Sequence, residues 1–553
     1  MSLAKEIHKF FRGDVDASDE VLEEYSRDAS LFRIKPEVVV FPKDMDDVCN
    51  LVAFVAAKKK EGCAISLTAR SAGTDMTGGP LSESIVVVFT RYMNNLKEIV
   101  GDHAVVEPGM LYRDLDAETK KRGLILPSYP ASRELCAVGG MVANNAGGEK
   151  NLKYGKTERY VEKVTMVLHD GKPHVFSALS ERELEKKKGE VGVEGELYRK
   201  MYELIAAHYA VISKARPTVS KNSSGYNLWN VYDKDRGIFD LSKVIVGSQG
   251  TLGIITDSTL RLVRPNPFSS LVVMFLKEKD VSRLGEIIPR VLSYSPESFE
   301  SYDDNTFRIA VKFFPEFAAR LQSNFFKLAF SFLPEIWMVI TGGVPKLVLL
   351  AEFTAGTPEE ALRHAREAEQ ALRTMFGIAT KIAKTNTEAE KYWAMRRESF
   401  NLLRKRIRGL RTAPFIDDLV VAPEHLSEFL PKLETILRKH TNMIYTVAGH
   451  MGDGNFHIIP LMDPNDPSLA NTIRKVAGRV YDLVLAYNGS ISGEHNDGIV
   501  RGPYVRQMFG DEVYKLFQET EHIFDPDDIF NPGKKVGVTL DESLEHLDVN
   551  TTD

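Results

Sequence analysis

Short apolar runs alternate along the chain with stretches whose apolar positions recur at helical spacing. Val38-Val39-Val40-Phe41, set between Pro36 and Pro42, predicts a strand, and Val48, Leu51, Val52 and Val55 predict a helix over 46–60. A strand followed by a helix opens an α/β unit. Ala64 to Thr68, Ser84 to Phe89 and Ala104 to Gly109 supply further strands, and Lys243 to Thr256 reads as strand, glycine turn and strand again. Ahead of residue 36, Ser18-Asp19-Glu20 followed by Val21, Leu22 and Tyr25 predicts a helical lead-in.

The pattern changes at about residue 266. Ser269 to Phe275 and Pro345 to Phe353 are apolar strands, Pro358 to Met375 is an amphipathic helix rich in Ala, Glu and Arg, and a further helix spans 469–487. This alternation suits an α+β cap domain. Inside it, 313–340 is crowded with Phe325, Phe326, Leu328, Phe330, Phe332, Leu333, Ile336, Trp337 and Met338. Lys327, Pro334 and Glu335 break its runs below the length of a spanning helix. Three readings stand for it: ordinary core, a subunit contact in a homodimer, or peripheral contact with a membrane surface. General tendencies favour the first two. The predicted organisation is a lead-in over 1–35, a first domain over 36–265, a cap over 266–490, and a segment over 491–553 that returns to the first domain.

A chain of 553 residues needs two or three cores and can bury a large cofactor. Net charge of −6 gives no electrostatic reason to bind nucleic acid. Cys49, Cys63 and Cys136 are the only cysteines and form no CxxC pair, which argues against a disulfide framework, a cysteine zinc site and a built-in iron–sulfur cluster. The stretch Met1 to Arg12 lacks the apolar run of a signal peptide, so the expected location is cytoplasmic.

The densest chemistry lies in Gly449-His450-Met451-Gly452-Asp453-Gly454-Asn455-Phe456-His457 and in Ser492-Gly493-Glu494-His495. A Gly-Asp-Gly turn can fold back so that His450 and His457 face one point, with Glu494 as an oxygen ligand from a separate segment. His495 stays free to move protons near neutral pH. Zn²⁺ suits histidine ligands, and Mn²⁺ or Fe²⁺ fits the mixed set nearly as well. For any one of these histidines a hydrogen-bonding role in a glycine-rich turn is the plainer reading. Four ionisable groups in two compact motifs favour a site.

Small-residue blocks form the second group of candidates. Arg70-Ser71-Ala72-Gly73-Thr74-Asp75-Met76-Thr77-Gly78-Gly79 can curl and aim successive N–H groups at a pyrophosphate. Its spacing is neither GxGxxG nor GxxxxGK[ST], which weighs against NAD and ATP. Pro127-Ser128-Tyr129-Pro130 and Gly139-Gly140-Met141-Val142-Ala143-Asn144-Asn145-Ala146-Gly147-Gly148 suggest a second approach to an extended cofactor. Lys221 to Asn227 and Gly247 to Thr256, with Gly250, Thr251 and Ile255, suggest a third.

In this order, these blocks resemble the PCMH-type FAD-binding domain of the vanillyl-alcohol oxidase superfamily. The histidine motifs with Asn531-Pro532-Gly533-Lys534 resemble its D-2-hydroxyacid branch, which includes D-lactate dehydrogenases, the glycolate oxidase flavin subunit and D-2-hydroxyglutarate dehydrogenase. The resemblance runs from about residue 36 to 537. It implies an α+β fold with a two-subdomain flavin domain and an antiparallel cap. The first loop would hold the FAD pyrophosphate, Pro130, Gly139, Gly140, Asn144, Asn145 and Gly148 the other side of the cofactor, and Gly250, Thr251, Ile255 and Asn531 would lie near it. Thr74 stands where covalently flavinylated relatives carry His, which implies non-covalent FAD.

The same resemblance makes Arg396 the grip on the substrate carboxylate, a task suited to a guanidinium fork. The neighbouring basic residues Arg404, Lys405, Arg406, Arg408 and Arg411 read as a solvated face. Where the hydroxyglutarate enzyme has a substrate-binding lysine, this chain has Ile416, so D-lactate or glycolate fits better. The implied reaction passes the C2 hydrogen of a D-2-hydroxyacid to the flavin as hydride while neutral His495 takes the hydroxyl proton beside the cation. Electrons would leave to a quinone, a cytochrome or an electron-transfer protein. The competing expectations are a redox-neutral enzyme of the alkyl-dihydroxyacetonephosphate synthase type and a flavin subunit of a larger electron-transfer complex.

Overall fold

The computed structural model describes residues 2–306, 343–406, 409–439 and 443–549, the side chains of 398–406 apart. The apolar stretch 313–340 and the side chains of Arg404, Lys405, Arg406 and Arg408 lie outside the described residues.

The first sheet is ordered Asp14–Asp16, Val38–Phe41, Ile85–Val88, Leu67–Arg70, with the first pairing antiparallel and the other two parallel. Every residue of Val38–Phe41 and Ile85–Val88 is buried, which is why these strands read as unbroken β-branched runs. Helix Met45–Lys60 begins where the Asp44 carboxylate accepts from the Asp47 N–H, and Val48, Leu51, Val52 and Val55 seal it to the sheet. The lead-in adds helix Asp19–Glu24 and, through Asp14–Asp16, an edge strand.

The second sheet, antiparallel throughout, is ordered Leu96–Val100, His103–Val106, Ile254–Arg261, Val161–Val167, Pro173–Ser177. The run Lys243 to Val246, expected as a strand, instead forms the one-turn helix Ser242–Ile245. Just before it, Asp240 accepts from the N–H and hydroxyl of Ser242 and turns the chain. In so short a buried run, apolar character alone does not separate the two conformations.

The cap is an eight-stranded sheet with the path Ala379–Ile382, Phe268–Leu276, Leu347–Ala355, Ser298–Asp303, Ile444–His450, Asn455–Met462, Arg411–Thr412; Leu419–Val420 also pairs with Asn455–Met462. Helices Pro358–Phe376, Leu426–Leu437 and Leu469–Ala486 bury apolar faces in its main core. The long helical segment Gly498–Phe524 is kinked at Gly510, where φ is 77°. Ahead of the kink Ile499, Val500 and Tyr504 join the cap core, and beyond it Val513, Leu516, Phe517 and Phe524 join the core of the second sheet. One segment therefore ties the two domains together. No helix among the described residues is long and apolar enough to cross a membrane.

Candidate active site

Strands Ile444–His450 and Asn455–Met462 form a hairpin with Ala448 opposite His457 and His450 opposite Asn455. Residues two apart share a face, so His450 and His457 project from the same side. Their ring centroids are 5.2 Å apart with the planes nearly perpendicular. The turn depends on its glycines. Gly454 has φ 65°, and a Cβ there would lie 1.8 Å from the Val421 carbonyl oxygen.

Glu494 and His495 reach the hairpin through Asp418. Val420 bridges Ser490, which draws the following loop alongside. Asp418 Oδ2 then accepts from the N–H groups of Glu494 at 2.8 Å and His495 at 2.7 Å and from the Ser492 hydroxyl at 2.8 Å. Asp418 itself sits at φ 66°, a strained conformation for a residue other than glycine.

His450, His457 and Glu494 each present one donor atom, all within 4.8 Å of one another. His450 Nδ1 bonds Glu300 Oε1 at 2.6 Å and His457 Nδ1 bonds Asp417 Oδ1 at 3.2 Å, which turns Nε2 of each toward the triad, that of His450 lying 3.3 Å from Glu494 Oε1. Buried Lys221 donates to Glu494 Oε1 at 2.6 Å and lies 3.1 Å from Asp453. Two imidazoles and a carboxylate, braced from behind, match the donor set of a divalent cation. Asp417, His457 and His495 also converge within 4.8 Å. There, however, the nitrogens facing Asp417 are the two Nδ1 atoms, at 3.2 and 2.7 Å, spacings of ion pairs.

Electrostatics set the resting protonation. Burial opposes charge on His450, but Glu300 and Glu494 outweigh it and raise the imidazole to about 9. Burial likewise opposes charge on His495, and Asp417 and Asp418 raise it to about 9. Glu494 is held well below the usual carboxylate range: burial opposes this, and His450 and Lys221 prevail. With no cation present, His495 is an imidazolium at neutral pH, whereas a neutral base was expected. The Asp417–Asp418 pair, invisible as a neighbour in sequence, causes the difference. His495 stacks on His457 with centroids 5.1 Å apart.

Arg396 enters on helix Asn386–Arg406 with Nη2 3.3 Å from Glu300 Oε2 and a buried Nε that has no partner among the described residues. Next to it Arg397 grips Glu149 of the first domain with contacts of 2.8–3.1 Å. Ile416 is fully buried in the cap core.

Within the small-residue blocks, several residues brace the loops. Arg70 donates to the carbonyls of Tyr25 and Arg27, at 3.3 and 2.7 Å, so its guanidinium anchors the loop to the lead-in. Asp75 Oδ2 accepts from the N–H and hydroxyl of Thr77 and from the Gly79 N–H, while Oδ1 accepts from Asn144, joining the first block to the second. Asn145, at φ 50°, exchanges bonds with Glu158. Asn531 donates to the carbonyls of Gly79 and Gln249 and accepts from Thr68, so its amide is fully used as a staple between loops. Gly139 and Gly148 sit hard against backbone, where a Cβ would come within 2.8 Å of Pro108 O and 2.2 Å of Tyr129 O. Thr251 is buried and bonded to Tyr226, and Ile255 is buried near it. Ser71, Ala72, Gly73, Thr74, Asp75 and Pro130 are part-exposed. A Cβ on Gly140 or Gly250 would meet nothing nearer than 3.7 and 3.6 Å. Braced loops with open glycines between them suit an extended dinucleotide.

A family model described as FAD linked oxidases, C-terminal domain, matches residues 269–535, and one described as FAD binding domain matches 36–177. The chain thus carries an FAD binding domain followed by an FAD-linked oxidase C-terminal domain. It is 28% identical over 537 residues to a D-2-hydroxyglutarate dehydrogenase of Pseudomonas putida, an alignment covering 95% of this chain and 50% of that protein. The chain thus spans about half the length of the first such relatives. A D-lactate dehydrogenase of Anaerostipes hadrus is 26% identical over 525 residues, with 93% of each chain covered. Among solved structures, 4-ethylphenol oxidase from Gulosibacter chungangensis superposes with a TM-score of 0.68 over 97% of both chains at 16% identity, a likeness of fold alone.

Four residues of the candidate site escaped the sequence reading: Glu300, Asp417 and Asp418 altogether, and Lys221 as a partner of Glu494. The signal was present for the acids. Glu300 stands in a six-residue strand with every position buried, and Asp417-Asp418 interrupts the apolar run Phe415 to Val421. Buried carboxylates in strands require partners.

Proposed function

We propose that this chain oxidises a small D-2-hydroxyacid, D-lactate or glycolate before others, to the 2-oxoacid. The observation that carries the reading is the convergence of His450, His457 and Glu494 on one point with His495 stacked beside them and Arg396 joined to His450 through Glu300. FAD, held non-covalently with Thr74 in the first loop, would supply the two-electron acceptor, and a divalent cation, zinc before manganese or iron, would supply positive charge at the substrate oxygens.

The chain's own residues do the rest. Arg396 binds the carboxylate through its unpartnered Nε and the adjacent edge of its fork. His450, His457 and Glu494 fix the hydroxyl side of the substrate. His495 takes the hydroxyl proton, for which it must be neutral. Positive charge in the triad, next to the His457 ring on which His495 stacks, favours that neutral form. Buried Ile416 offers no second cation for a longer diacid, which supports a substrate with one carboxylate. The electron acceptor on this reading is a quinone, a cytochrome or an electron-transfer protein.

Steady-state reduction of an artificial dye by D- and L-lactate, glycolate and D-2-hydroxyglutarate tests the reading. Turnover with a D-acid that chelation abolishes and added Zn²⁺ or Mn²⁺ restores is the expected outcome. Preference for the L-enantiomer, or indifference to the chelator, would sink it.

A further inference from the structure

Among the described residues Glu300 has two partners, one on each carboxylate oxygen. Oε1 meets His450 Nδ1 at 2.6 Å, and Oε2 lies 3.3 Å from Arg396 Nη2. Its strand, Ser298–Asp303, pairs with the hairpin strand through Ser301 opposite Gly449 and Tyr302 opposite Ala448, so the carboxylate is fixed relative to His450 by the sheet itself. The side chain is 2% exposed. Arg396 comes from a separate helix, and with Nε unpartnered, Glu300 is its ionic anchor among the described residues. One buried carboxylate therefore decides both which nitrogen His450 turns toward Glu494 and where the Arg396 fork lies.

We propose that Glu300 is a positioning residue that couples cation binding at His450 to carboxylate binding at Arg396. This rests on the proposed function for the roles of those two residues. Two substitutions separate the halves of the coupling. In Glu300→Gln the amide oxygen still accepts from His450 Nδ1–H, but an amide NH₂ replaces the carboxylate oxygen beside Arg396. In Glu300→Ala both contacts are gone.

The test uses the flavin-loaded full chain and two readouts: Zn²⁺ affinity by competition with a chromophoric chelator, and the KM for the best D-2-hydroxyacid. Glu300→Gln is expected to keep Zn²⁺ affinity within about threefold and raise KM about tenfold or more, whereas Glu300→Ala should lose about tenfold or more in Zn²⁺ affinity as well. Glu297→Gln is the control for general disturbance. Glu297 lies one residue before the strand, 1% exposed and paired with Lys150 and Lys153, and its change should leave Zn²⁺ affinity unaltered.

Wild-type Zn²⁺ affinity in Glu300→Ala, or equal losses in all three variants, would overturn the proposal. The Zn²⁺ arm uses no substrate, so failure of the substrate assignment leaves it standing. A wild-type chain that binds no Zn²⁺ would overturn the proposal and the reading of the site together.

Discussion

The carboxylate of Asp418 accepts hydrogen bonds from the backbone N–H groups of both Glu494 and His495, at 2.8 and 2.7 Å. A proposed cation ligand and a proposed base are thereby set side by side by an acid 76 residues away in sequence. Asp418→Asn keeps the shape but forces an amide N–H toward donors. It is expected to cost about 2 kcal/mol of stability. Zn²⁺ affinity should fall at least tenfold, since the backbone that carries Glu494 loses its charged anchor. Chemical denaturation and chelator competition measure the two effects.

Cation binding must displace the proton that Glu300 and Glu494 favour on His450. Because that imidazole is raised to about 9, apparent Zn²⁺ affinity should climb by roughly tenfold per pH unit through neutrality and level off above about pH 9. Chelator competition at pH 6.5, 7.5 and 8.5 would show the slope. The cation-free protein should behave in the opposite sense. His450 and His495 are both raised, so the stability they contribute is complete below their unfolded value near 6.5 and is lost as pH rises toward 9. Thermal unfolding with chelator present should therefore show a falling midpoint across that window.

Arg396→Lys removes the planar fork and keeps the charge. Loss of a charge-assisted hydrogen bond of about 1.5–3 kcal/mol predicts a KM increase of about 10- to 150-fold. Zn²⁺ affinity should hold within about twofold, because Glu300 still bonds His450. Initial rates and chelator competition separate the two.

Gly454→Ala would drive a methyl into the Val421 carbonyl at a positive φ. A penalty of roughly 2 kcal/mol or more is expected at the hairpin. The loops proposed to hold FAD lie outside the hairpin's sheet, so bound flavin per chain should stay near the wild-type level while Zn²⁺ binding is lost.

What could be read from the sequence follows from the range of each interaction. The glycine turn between His450 and His457 is local, and its composition announced a reversal that faces two imidazoles together. The β-branched runs of the first sheet were equally plain, being buried on both faces. Glu300 and His450 meet across 150 residues, and Asp418 and His495 across 77, distances over which spacing carries no signal. Arg70 and Asn531 show a different limit. The family resemblance marked both for the cofactor, yet their polar atoms are bonded to protein backbone and to Thr68, in arrangements that shape the loops.

On the proposed function, the triad, His495 and Arg396 act on one D-2-hydroxyacid beside FAD. Anaerobic mixing of flavin-loaded, Zn²⁺-replete protein with D-lactate, L-lactate, glycolate and D-2-hydroxyglutarate, followed through the visible flavin band, tests it most directly. Rapid bleaching by D-lactate or glycolate, none by L-lactate, and loss of the response on chelation with recovery on added Zn²⁺ is the predicted result. A flavin band untouched by all four acids, or bleached equally with and without chelator, would contradict it.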